Sequence, residues 1–135
     1  MTFDLRHQDT IAGLRRVTDD HRNYVFKIVL RDLSQTVGTC GLTFKHDDNS
    51  YEVGYWLHRE HCGTGLMTEC VRRLVSFARD DLKAERLTLI ADKENIGSQK
   101  VAEKVGFSLV RIEEEVFQLR PDWGKRVEHH YQLVL

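Results

Sequence analysis

Between Tyr51 and Ala91 the chain changes twice between the two periodicities that bury a polypeptide, and nothing else in it constrains the fold as tightly. Tyr51, Val53, Tyr55 and Leu57 alternate with Glu52, Gly54 and Trp56, the period-two pattern of a strand with two distinct faces. After Gly63-Thr64-Gly65, residues Leu66, Cys70, Leu74, Phe77 and Ala78 fall on one helical stripe, widened by Met67, Val71, Val75 and Leu82. A stripe this broad packs on a sheet. Arg86 to Ala91 then returns to a short apolar strand. Strand, helix and strand in succession predict two parallel strands joined by a right-handed crossover. The glycine turn opening the helix predicts an anion cradle, because first-turn N–H groups lack intrahelical partners and the helix dipole adds positive charge there. By itself it fits an ordinary φ > 0 turn equally well, being neither Gly-x-Gly-x-x-Gly nor a Walker loop.

The flanking sequence extends this unit. Leu5, Ile11, Leu14 and Val17 recur at roughly helical spacing and predict a surface helix. Tyr24 to Leu30 and Thr36 to Phe44 predict a hairpin. Asn95 to Val105 reads as a short helix closed by Gly106, and Val110 to Leu119 and Val127 to Leu135 as strands about a turn at Pro121-Asp122-Trp123-Gly124. The 135 residues suit one domain. A formal net charge of −1 gives no electrostatic footprint for nucleic acid. With no early apolar run behind basic residues and no membrane-length apolar stretch, the expectation is a cytoplasmic protein. Cys40, Cys62 and Cys70 are odd in number and suit reduced thiols.

Four segments recur in a fixed order: Glu52-Val53-Gly54-Tyr55-Trp56-Leu57, Gly63-Thr64-Gly65-Leu66-Met67-Thr68-Glu69, Asn95-Ile96-Gly97-Ser98 and Lys104-Val105-Gly106-Phe107. Together they resemble the GNAT acetyltransferase superfamily, and within it the RimJ/RimL-type branch that acetylates protein N-terminal amines. The resemblance spans about Val37 to Phe107. It implies an α/β (α+β) fold, a mixed, mainly antiparallel sheet with a central parallel strand pair flanked by helices, over residues 1–135. It implies acetyl-CoA as cosubstrate, held by Tyr55, Trp56 and Leu57 through backbone groups along the pantetheine and by the amides of Cys62, Gly63, Thr64, Gly65, Leu66 and Met67 at the pyrophosphate. Asn95 and Ser98 match cofactor-contacting positions, and Ser98 also matches a serine proposed to protonate the departing thiolate.

The pattern is broken in three places. Glu60 stands where many relatives carry Gln or Arg, Ala102 where many carry a general-acid tyrosine, and the segment before the hairpin is shorter than the strand and helices found there in relatives. That short segment leaves room for a second subunit to complete the acceptor pocket, as a homodimer.

Acetyl transfer to an amine needs a neutral nucleophile, a polarised carbonyl and a donor for the leaving sulfur. An α-amine is on the order of 10% neutral at pH 7 and a lysine well under 0.1%, so an N-terminal acceptor asks little of a base. The resemblance implies two candidate bases: Glu52, at the strand position that holds a catalytic glutamate in some GNAT enzymes, and Glu115, on the strand after Gly106-Phe107 where the RimJ/RimL branch has a glutamate proposed as base. Glu52 reads equally as a solvated surface carboxylate, and Glu115, beside Glu113 and Glu114, reads more readily as part of a solvated acidic edge. The acceptor expected is a peptide α-amine, with a small amine such as an aminoglycoside or polyamine as alternative; a CoA-binding module without catalysis and a nucleotide-phosphate binder are the competing classes. His58, His61 and Cys62 lack a zinc spacing, and His129 and His130 point to opposite faces of a strand. No metal is expected. Trp123 reads as a turn aromatic or a pocket wall.

Overall fold

The computed structural model describes residues 12–18, 22–30, 35–45, 49–117 and 124–135, with backbone only for Ala12, Gly13, Arg15, Glu115, Val116 and Phe117. In chain order the elements are β1 (Ala12–Arg16), β2 (Asn23–Leu30), β3 (Thr36–Lys45), β4 (Ser50–Leu57), α1 (Leu66–Asp80), β5 (Arg86–Asp92), α2 (Ile96–Val105), β6 (Ser108–Phe117) and β7 (Lys125–Val134), with a short 3-10 turn at Arg59–His61. The strands form one seven-stranded sheet in the order β1-β2-β3-β4-β5-β7-β6. Every neighbouring pair is antiparallel except β4 and β5, which run parallel as the Tyr51–Ala91 pattern requires.

The N-terminal helix is a correction. Ala12–Arg16 is a strand paired with β2, Leu14 opposite Ile28. Leu14 is buried while Val17, the next residue at helical spacing, is exposed just past the strand. One buried apolar residue per face suffices for an edge strand, and pairing with β2 overrides a weak 3.6-residue spacing. Leu5 and Ile11 lie outside the described residues, as do Pro121, Asp122 and Trp123 of the expected C-terminal turn. Residues 17–22 join β1 to β2.

Residues opposite one another on neighbouring strands point to the same side, so register sorts the two faces. Tyr24, Leu42, Val53, Leu89 and Tyr131 lie across from one another in turn through β2, β3, β4, β5 and β7. All five are buried. On this side α1 packs through Leu66, Cys70, Leu74 and Phe77, with the Phe77 ring meeting Tyr24 and Phe26 edge-on at 5.4 and 5.6 Å. Each such side chain stabilises by about 1.5–3 kcal/mol on burial. Helix α2 lies beside α1, where Arg72 Nη2 donates to the Lys104 carbonyl at 3.2 Å. It starts at Asn95, whose Oδ1 accepts the Ser98 N–H at 3.1 Å. It ends at Gly106, φ 105°, whose N–H reaches the carbonyls of Ala102 and Glu103.

The opposite face is polar. Thr43, Glu52, Thr88 and Gln132 follow one another across β3, β4, β5 and β7, and Asp92, Glu128 and Glu113 across β5, β7 and β6. One packed and one polar face is the usual economy of an antiparallel sheet. Among the described residues no helix is long and apolar enough to cross a membrane.

Candidate active site

Parallel pairing of β4 with β5 ends at Val53 and Leu89, although β4 continues to Leu57 and β5 to Asp92. Each strand keeps its outer partner to the end, Leu57 opposite Gly38 and Asp92 opposite Glu128. The gap is thus a V built into the sheet. On the helix side of its mouth lies the turn that starts α1. Gly63 and Gly65 have φ of 77° and 83°, where a Cβ would be strained, and a Cβ at either would meet nothing within 4 Å. Gly65 caps α1 without a side-chain hydrogen bond, and the first helical bond runs from the Glu69 N–H to the Gly65 carbonyl. The amides of Leu66, Met67 and Thr68 therefore have no intrahelical acceptor and stand at the positive end of a 15-residue helix.

Two cavities meet at the V. The first, about 380 Å³, runs from β4 (Tyr55, Trp56, Leu57) past Cys62, Gly63 and Gly65 to the α2 stripe of Gly97, Val101 and Lys104. The second, about 430 Å³, is bounded by Glu52, Asp92, Arg126 and Glu128 on the polar face. Tyr55, Asn95 and Ser98 line both. A long anionic ligand fits the first, which offers uncapped amides at one end and Lys100 and Lys104 along its wall. A cation fits the second, whose charged lining is three carboxylates and one guanidinium.

Residues 2–108 match the family described as the Acetyltransferase (GNAT) domain. The chain belongs to this family. It is 37% identical over 123 residues to the probable N-acetyltransferase YjcK of Bacillus subtilis, covering 84% of this chain and 68% of that protein. It spans about half or less of the other curated relatives it matches, between 39% and 49% of their length. Among solved structures, RimL, a ribosomal L7/L12 alpha-N-protein acetyltransferase, superposes with a TM-score of 0.84 at 13% identity, over 100% of this chain and 96% of that one. The microcin C7 self-immunity acetyltransferase MccE, in complex with acetyl-CoA and AMP, gives 0.75 at 19% identity, over 84% of this chain and 62% of that one. At these identities the likeness is one of fold, the GNAT fold.

Set in that GNAT frame, the expected site residues divide. Tyr55, Trp56, Leu57, Cys62, Gly63, Gly65, Met67, Asn95 and Ser98 line the first cavity together. Leu66 is buried in the core and offers only its amide, and the Thr64 hydroxyl turns back to the His61 carbonyl at 2.9 Å. Glu60 is exposed, 3.9 Å from His61 Nε2, and is not in the cavity wall. Ala102 is fully buried, so the position of the family tyrosine is core in this chain. Glu52 reaches the second cavity and pairs with Lys45 at 3.5 Å. Glu115 is on β6, but its side chain falls outside the described residues.

Lys100, Lys104, Asp92, Arg126 and Glu128 were not anticipated. The lysines had a signal, since Gly97, Lys100, Val101 and Lys104 share one helical stripe. Arg126 and Glu128 had none, because only the register of β7 on β5 brings them to the V. Behind Glu128, Glu113 and His130 complete a grouping with metal-ligand geometry. Arg111 Nη2 lies 3.3 Å from His130 Nδ1. His130 Nε2 lies 3.2 Å from a Glu113 oxygen and 3.5 Å from a Glu128 oxygen. Arg126 holds Glu128 from the other side. The group reads as a charge network stiffening the wall of the second cavity.

Proposed function

We propose that the protein is an acetyl-CoA-dependent N-acetyltransferase that moves an acetyl group to a primary amine by direct attack on the thioester, as one domain over residues 1–135. The observation that carries this is the meeting of two cavities of opposite character at Tyr55, Asn95 and Ser98. Acetyl-CoA enters from the helix side. The amides of Gly63 to Thr68 take its pyrophosphate, and the end of β4, free on its β5 side, runs along the pantetheine and polarises the carbonyl through a backbone N–H. Ser98 stands beside the leaving sulfur. The amine arrives from the polar face, where Asp92 and Glu128 draw a cation and Glu52 takes its proton, directly or through water.

The favoured acceptor is a peptide or protein α-amine. It is already partly neutral at pH 7 and so asks little of a base such as Glu52. RimL, with its alpha-N-protein substrate, shares this fold over the whole chain. The test is release of free thiol from acetyl-CoA in the presence of short peptides with free N-termini, or of spermidine as the small-amine alternative. Acceptor-dependent release is expected, faster with the peptides. Tight acetyl-CoA binding without release would reduce the protein to a binding module, and no binding at all would overturn the proposal.

A further inference from the structure

The Tyr55 hydroxyl is enclosed, yet it makes no well-formed hydrogen bond in the protein. Such groups are rare, because an unpaired buried hydroxyl loses its hydration for nothing in return. This one sits where both cavities meet, on the face of β4 that looks toward α2. Its near neighbour is the Ser98 hydroxyl, which tends to lower the phenol pKa; burial outweighs this and raises it above the ordinary 10.0. The family's usual tyrosine position on α2 is filled by buried Ala102, so a phenol reaches the junction from the strand instead.

We propose that Tyr55 is the hydrogen-bond donor that stabilises the departing sulfur of acetyl-CoA. The assignment rests on the acetyl-transfer reading and adds a catalytic residue to it. As the amine lone pair forms the new C–N bond, the C–S bond breaks and its electron pair goes to sulfur as a thiolate. Tyr55 keeps its proton and donates a hydrogen bond to that charge. The amine's surplus proton passes to Glu52, directly or through water, and from there to solvent on the polar face, and the thiolate takes one from water. A donor must stay protonated while a thiolate exists, and burial does this for a phenol. Ser98 is then a positioning residue that directs the phenol across the V.

Tyr55→Phe removes only the oxygen. It should lower kcat about 100-fold, as loss of a preorganised donor to developing charge does, with the dissociation constant of acetyl-CoA within about twofold and thermal stability not reduced. A binding measurement needs no turnover. At about pH 9 part of the CoA thiol is ionised, and only the thiolate gains from the donor, so calorimetry should show Tyr55→Phe binding free CoA several-fold more weakly and acetyl-CoA unchanged. Ser98→Ala should lose less turnover than Tyr55→Phe, and the double variant no more than Tyr55→Phe alone. If the parent protein releases thiol but Tyr55→Phe keeps kcat within about threefold and binds free CoA normally, the assignment fails and the acetyl-transfer reading stands. If the parent binds neither CoA nor acetyl-CoA, both fall.

Discussion

Two glycines at the cavity allow fold and ligand binding to be separated, because replacing each by alanine changes stability in opposite directions. Gly65 holds φ 83° at the start of α1, and a Cβ there meets nothing within 4 Å. The cost of Gly65→Ala is therefore conformational, about 1–2 kcal/mol for a left-handed residue with a side chain. For a chain of this size that lowers Tm by roughly 3–10 °C. Gly97 lies in the first turn of α2 at an ordinary helical φ, and its Cβ would meet only Asn95 Oδ1 at 3.7 Å, an ordinary contact. Gly97→Ala should raise stability by about 0.5–1 kcal/mol, since glycine is the poorer helix residue. Both methyl groups project into space that acetyl-CoA would fill. Losing one charge-assisted hydrogen bond at the cradle, at about 1.5–3 kcal/mol, weakens binding by roughly 10- to 150-fold for Gly65→Ala. For Gly97→Ala the loss is steric and smaller, about tenfold. Thermal denaturation without ligand and calorimetry with acetyl-CoA read the two quantities independently. If affinity simply followed stability, with Gly97→Ala binding as well as the parent or better, the first cavity would not be the cosubstrate site.

Lys100→Gln with Lys104→Gln should weaken acetyl-CoA binding about 3- to 10-fold at low salt and far less at high salt, because exposed charges contribute little once screened; equal losses at both salt concentrations would place the lysines away from the phosphates. Tyr51, Tyr55 and Tyr131 are all raised above the ordinary 10.0 by burial. The folded chain thus holds these protons to higher pH than the unfolded one, so the stability they contribute is present below about pH 10 and lost as pH rises through it. Urea midpoints should fall between pH 9 and 11, and less steeply for Tyr55→Phe; a flat profile would contradict the burial of these phenols.

How far the sequence reaches depends on whether an interaction is local. The α1 stripe and the parallel β4–β5 pair were legible because each is written in consecutive residues. So was the capped start of α2, with Asn95 three residues ahead of Ser98. The N-terminal strand was not, because Leu14 and Val17 match helical spacing by accident and only β2 reveals which of them is used. The first cavity was largely legible since three consecutive motifs build it. The second was not: Asp92, Arg126 and Glu128 share it through pairing between β5 and β7, which no local pattern encodes. Tyr55 was legible as a strand residue but its hydroxyl was not, because an unpaired buried oxygen is a property of the packed interior.

The early end of pairing between β4 and β5 has a mechanical consequence. Each diverging strand is laced to a partner on its outer side up to its last residues, β3 for one and β7 for the other. Zipping the V shut would require peeling one of those seams, so the wedge stands open before any ligand arrives. A cosubstrate entering it spends little of its interaction energy on reshaping the protein. Its on-rate should then report diffusion and charge rather than a slow opening step.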